Sequence, residues 1–110
     1  MTGKNDNAEV QAFYRDVNER IAAVSRGFDT RAAIEILCEC GTAGCTERVL
    51  LAMDAYEEIR SAATHFALLD GHQNPAVEDV VRRGDGYLVV ANYGPAATTA
   101  RRTDPRASSR

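Results

Sequence analysis

Three cysteines lie within eight residues of this 110-residue chain: Cys38, Cys40 and Cys45, in the spacing C-x-C-x4-C. On an extended backbone, residues two apart face the same side with Cα atoms about 6.6 Å apart. Thiolates so placed can converge on one ion at a Zn–S distance of about 2.3 Å. Gly41 and Gly44 allow the sharp reversal that brings Cys45 to the same ion, through conformations other residues resist. Backbone N–H groups in such a turn can also donate to the sulfurs. Three cysteines in this spacing, beside glycines, fit a metal site better than they fit three small buried hydrophobes.

Three thiolates leave one tetrahedral position, and the chain holds two histidines, His65 and His72. His72 sits in the turn Asp70-Gly71-His72-Gln73-Asn74-Pro75, where its ring can be aimed freely, and it is the favoured fourth ligand. His65 lies at a helix–strand junction that suits a half-buried structural residue and is the alternative, as are water and a carboxylate such as Glu39. The expected site is therefore Cys38, Cys40, Cys45 and His72, binding one zinc ion per chain.

These ligands need a frame. Val10, Tyr14, Val17, Ile21, Val24 and Phe28 recur at spacings of four and three, with Phe13 widening the stripe, which predicts an amphipathic helix over residues 8–26. Asn7 is its candidate N-cap and Gly27 its stop, and Asp16 precedes Arg20 by four residues in the favourable order. Residues 33–40 alternate, with Ile34, Ile36, Cys38 and Cys40 on one face and Glu35, Leu37 and Glu39 on the other. A second strand over residues 48–53 completes a hairpin with the cysteines at its tip. Asp54 and Glu57 form a capping-box-like pair opening a short helix to about residue 63. Residues 66–69 suit a strand or a packed loop. Residues 77–82 and 87–93 read as strands joined across Gly84-Asp85-Gly86, one or two helical turns being the alternative for residues 76–83.

Residues 1–7 are polar and expected to be disordered, and residues 94–110 lack periodicity and are expected to be a disordered basic tail. One domain over residues 8–93 remains. Its class is α+β, with the N-terminal helix packed on a small antiparallel sheet of hairpins and stapled by the metal.

Charge divides the chain. The tail carries four Arg against one Asp, whereas residues 1–93 hold 9 Lys/Arg against 15 Asp/Glu. An acidic body repels a phosphate backbone, which makes nucleic acid an unfavourable partner. No apolar run approaches the roughly 18 residues of a membrane span, the N-terminus lacks a signal-peptide core, and the cysteine count is odd. Together these point to the cytoplasm, where clustered cysteines bind metals more often than they form disulfides.

The segments FYRDVNERI (13–21), CECGTAGC (38–45), YEEIR (56–60), the Gly71-His72 turn and GYLVV (86–90) resemble a group of small, uncharacterised actinobacterial proteins. Those proteins carry an F-R-E-V-N-E-R-I helix, a CECG…C segment, and a P-G-H turn before a Y-x-V-V ending. The resemblance implies that Cys38, Cys40, Cys45 and His72 belong together, and implies no activity; Asp70 stands where that pattern has Pro.

Ser–His–Asp, phosphate-loop and H-E-x-x-H patterns are missing. Glu39 or Glu47 could serve as a base only if a water held the fourth position, and three thiolates make the metal a weak Lewis acid. The expected role is a non-catalytic regulatory or protein-interaction module, with a zinc–thiolate redox switch as the alternative. Its partner is an unidentified protein. The first helix's stripe is expected to cover the sheet of its own domain, leaving a monomer, or to seat a weak dimer.

Overall fold

A computed structural model describes residues 4–27, 29 and 31–109. The chain runs through helix α1 (Lys4–Ser25), strands β1 (Ala33–Leu37) and β2 (Arg48–Ala52), and helix α2 (Met53–Arg60). Strands β3 (His65–Leu68), β4 (Glu78–Arg83) and β5 (Leu88–Asn92), helix α3 (Gly94–Arg102) and a 3-10 turn at Ala107–Ser109 follow. The class is α+β, as the sequence predicts, but the strands form two antiparallel sheets rather than one: β1–β2, and β3–β5–β4.

The alternation in residues 33–37 and 48–52 sets the first sheet. Ile34 opposes Leu51 and Ile36 opposes Val49, so aliphatic side chains from both strands share one face. Ile36, Val49 and Leu51 are buried there. In the second sheet β5 is central, and Leu88, Val89 and Val90 are all buried, which is why this strand reads as continuously apolar. Phe66 opposes Val90 across β3–β5. Residues 78–83 are strand, not helix, with a register shift between Val80 and Arg82. A side chain at Gly84, in the turn between β4 and β5, would run into the Tyr87 ring.

Several boundaries move. Helix α1 begins at Lys4, so Asn7 lies inside it rather than capping it, and residues 4–7 are ordered; residues 1–3 and Phe28 lie outside the described residues. Gly27, at φ +101°, supplies the expected stop. Strand β1 ends at Leu37, which leaves Cys38 and Cys40 on the extended segment beyond it. Helix α2 starts at Met53 without a side-chain cap, and Glu57 instead pairs with Arg26 and Arg106.

The larger correction concerns α1. Its buried side is Ala8, Gln11, Ala12, Arg15, Asn18 and Ala22, with Tyr14 at the margin, whereas Phe13 is 63% exposed and Val24 is 79% exposed. Of the predicted apolar stripe, Tyr14 is buried, Ile21 packs against the core and Val10 and Val17 are half-buried, whereas Phe13 and Val24 face outward. Polar side chains face inward because each finds partners there. Arg15 donates to the carbonyls of Ala63 (2.6 Å) and Ala100 (2.9 Å) and to Thr103 Oγ1, and its guanidinium lies over the Phe66 ring.

The second correction is the C-terminal tail, which is ordered through residue 109. Pro95 in the first turn opens α3, and Ala96, Ala97 and Ala100 are buried. Beyond it Asp104 accepts from buried Arg60 at 2.5 Å. Arg106 forks between Glu19 (2.6 and 2.8 Å) and Glu57 (2.6 and 3.0 Å). Arg106, and Arg102 through Glu9, thus tie this segment to the acidic body.

Candidate metal centre

Just past β1 the chain stays extended, which turns Cys38 and Cys40 to the same side. The segment then reverses at Gly44, where φ is +85°. Gly41 serves a different need: a Cβ there would press on Asn7, so the missing side chain lets the loop approach α1. Behind the turn, Cys45 comes back beside its two predecessors, and the loop between β3 and β4 delivers His72.

The four ligand atoms lie within 4.8 Å of one another. His72 Nδ1 is 3.5 Å from Cys38 Sγ and 3.8 Å from Cys45 Sγ. A tetrahedral zinc with Zn–S of about 2.3 Å and Zn–N of about 2.0–2.1 Å requires S···N edges of about 3.5 Å and S···S edges of about 3.8 Å. The arrangement fits a single tetrahedral ion, ligated by the Nδ1 atom. Cys38 and Cys40 are buried, while Cys45 and His72 are half-buried. Those two edge an open cleft of about 670 Å³ bordered by residues 42–47 and 71–74.

One backbone N–H approaches each sulfur: Leu69 at Cys38 (3.4 Å), Thr42 at Cys40 and Glu47 at Cys45. These donors stabilise thiolate charge as the metal site requires. Hydrogen bonding from the Cys38 thiol, with help from Thr42 N–H and His72, draws the Cys40 thiol down to about 4. That same bond to Cys40, and burial, push Cys38 well above the ordinary thiol range, and burial raises Cys45.

Glu39 stands between two ligands and turns away from them. Its carboxylate accepts from Asn18 Nδ2 (2.8 Å) and Ala67 N–H (2.9 Å), and its own N–H donates to the Ala67 carbonyl. It is fully buried, and burial raises its carboxyl despite those bonds. Glu39 therefore lies outside the ligand cluster and ties the cysteine segment to β3. Glu47 is exposed, and its N–H is what reaches Cys45. His65 opens β3 opposite Ala91, outside the cluster, with its imidazole held low by burial and by Arg82.

A polar chain on α1 holds both halves of the site. Asn18 donates to the Leu37 carbonyl (2.9 Å) and accepts from Leu37 N–H (2.8 Å), pairing with the end of β1 as another strand would. Gln11 Nε2 donates to the Glu39 carbonyl (3.1 Å) and to Glu78 Oε1 (3.0 Å). The other Glu78 oxygen accepts from Asn74 N–H (2.8 Å), in the His72 loop. Tyr14 adds a bond to the Thr42 carbonyl. The sequence signal for these residues was the 4-3-4 spacing of Gln11, Arg15, Asn18 and Ala22, a second face beside the apolar stripe.

No family model matches the chain, and no curated protein or solved structure matches it.

Proposed function

We propose that the chain is a structural-zinc domain that acts without catalysis, as a regulatory or protein-interaction module. The observation that carries this reading is the convergence of Cys38, Cys40, Cys45 and His72 to within 4.8 Å. Three sulfurs and an imidazole are a zinc-selective set, and four protein donors close the coordination sphere, leaving no position for a reacting water. The sulfurs' backbone donors and the grip of Asn18 and Gln11 on the flanking segment suit a staple. A metal-ligating thiol cluster also fits a reducing compartment, hence the cytoplasm.

Elemental analysis of the purified chain tests the reading. About one zinc per chain is expected, with a large fall in melting temperature on chelation. Metal-free protein with an unchanged melt rejects it.

One observation favours a second role, as a redox switch: Cys45 is half-buried at the cleft while Cys38 and Cys40 are buried. A peroxide reaching the cleft would accept the Cys45 thiolate's electron pair and, with one proton from solvent, give a sulfenic acid and one water. Attack by the Cys40 thiolate on that sulfur would form a disulfide, expel hydroxide that takes a second solvent proton to become water, and release the zinc. Zinc release at sub-millimolar peroxide, with a Cys40–Cys45 disulfide found by peptide mass spectrometry, is the expected result; no release removes this role.

A further inference from the structure

Helix α1 buries three polar side chains, Gln11, Arg15 and Asn18, among small apolar ones, while Phe13 and Val24 are exposed on its outward side, with half-buried Val17 and exposed Arg20 between them. These four positions follow the 4-3 spacing of a helix–helix seam. Turning the helix to bury it would strip the hydrogen bonds of Gln11, Arg15 and Asn18 from their buried partners.

Charges beside the seam indicate what covers it. Asp16 and Arg20 are both exposed, and neither makes a salt bridge among the described residues, although they stand four apart on one helix. Place a second α1 antiparallel, with the two-fold axis between Val17 and Arg20. Phe13 then lies over the partner's Val24, and Val17 over the aliphatic stem of the partner's Arg20. Asp16 then stands one residue, about 1.5 Å, from level with the partner's Arg20, within reach of its side chain, and by symmetry the same pair forms again. One chain thus carries both halves of an isologous contact. A shallow apolar groove of about 340 Å³, lined by Val10, Phe13, Tyr14 and Ala43, continues the patch at its N-terminal end.

We infer that the outward face of α1 is a homodimer interface in which two copies pack antiparallel through Phe13, Val17 and Val24, with Asp16 against the partner's Arg20. From Phe13 to Val24 the seam runs about 17 Å. A contact this short buries less than the roughly 800 Å² per partner of a standard interface, so the dimer is weak and concentration-dependent. The contact uses the outward side of α1 and none of the cysteine ligands.

Sedimentation equilibrium of the full chain as purified, from about 10 µM to about 1 mM, tests it. A monomer–dimer equilibrium is expected, with Phe13→Glu raising Kd at least about ten-fold. Asp16→Arg and Arg20→Asp should each weaken the dimer about five-fold, since each sets like charges opposite one another, and the double exchange should return Kd to within about two-fold of wild type. All three side chains are exposed, so circular dichroism should be unchanged in every variant. A chain that stays monomeric at 1 mM overturns the inference. So does a dimer indifferent to Phe13→Glu, or a double exchange that fails to restore it.

Discussion

Asn18→Ala should destabilise the protein far more than a surface polar deletion. Asn18 is fully buried and makes three hydrogen bonds: two to Leu37 at 2.9 and 2.8 Å and one to the Glu39 carboxylate at 2.8 Å. Each bond to the Leu37 backbone contributes about 1 kcal/mol, and the bond to a charged acceptor about 1.5–3 kcal/mol. The expected loss is about 4 kcal/mol, a large share of the total stability of a domain this size. Asn18→Asp separates hydrogen bonding from packing, because it preserves shape. The introduced carboxylate can still accept from Leu37 N–H, but it stands against a second acid, Glu39, whose carboxyl burial already raises. The two acids would then share a proton, with a folded-state pKa above the unfolded value. Such a pair withholds stability at neutral pH and returns it as pH falls through the raised pKa. Asn18→Asp should thus be less stable than Asn18→Ala at pH 7 and recover relative to it toward pH 5. Urea unfolding at fixed free zinc measures both. If Asn18→Asp unfolds like wild type at pH 7, packing and not hydrogen bonding holds the helix, and the reasoning fails.

Loss of a ligand should separate the two histidines: His72→Ala is expected to weaken zinc binding at least about 100-fold, and His65→Ala only slightly, by competition with a chromogenic chelator. Cys40→Ser should leave the chain unable to retain zinc during dialysis, with a correspondingly lower melting temperature. Truncation after Tyr93 removes α3 and Asp104, the buried acceptor of Arg60, and should abolish cooperative unfolding, since breaking a buried ion pair alone costs about 3–5 kcal/mol. The Arg106 fork gives a pH signature. Burial alone would raise Glu19, but Arg106, Arg60 and Tyr56 outweigh it and hold the carboxyl low, and Arg106 does the same for Glu57. Their contribution is complete above the unfolded pKa near about 4.3 and is lost as pH falls through the lowered folded values. Arg106→Ala should flatten that acid limb of stability, seen in urea midpoints between pH 7 and 3.

The metal ligands were legible because their pattern is local. Cys38, Cys40 and Cys45 need only an extended backbone and a glycine reversal to converge, and His72 is marked by its turn. The hairpins were legible through alternation, as in Ile34, Ile36, Val49 and Leu51. What could not be read was which face of α1 points inward. Hydrophobic periodicity favours burying Phe13 and Val24, and it assigns no value to the partners that Gln11, Arg15 and Asn18 find across the fold. Those partners, such as the Ala63, Ala100 and Leu37 carbonyls, are backbone atoms, so no residue type announces them. Helix α3 was hidden for a related reason. Its buried face is Ala96, Ala97 and Ala100, too small to register as an apolar stripe but small enough to let the helix lie close. Asp104 and Arg106 read as solvated charge because Arg60, Glu19 and Glu57 lie far off in the chain.

The rotation of α1 follows from magnitudes. Turning the helix to bury Phe13, Val17 and Val24 would gain about 1.5–3 kcal/mol for each side chain fully covered. Against that stand nine hydrogen bonds made by Gln11, Arg15 and Asn18. At about 1 kcal/mol each they offset the apolar gain, and the orphaned acceptors, two of them buried carboxylates, add about 1–3 kcal/mol apiece. The polar face wins only while those acceptors stay in place. Glu39 presents both its carbonyl and its carboxylate to α1 because residues 38–45 are held extended and then folded back. Glu78 is fixed partly through Asn74, beside His72. An ion bound by Cys38, Cys40, Cys45 and His72 would lock both acceptor groups at once. Metal loading would thereby fix the helix rotation and, with it, the outward presentation of Phe13, Val17 and Val24.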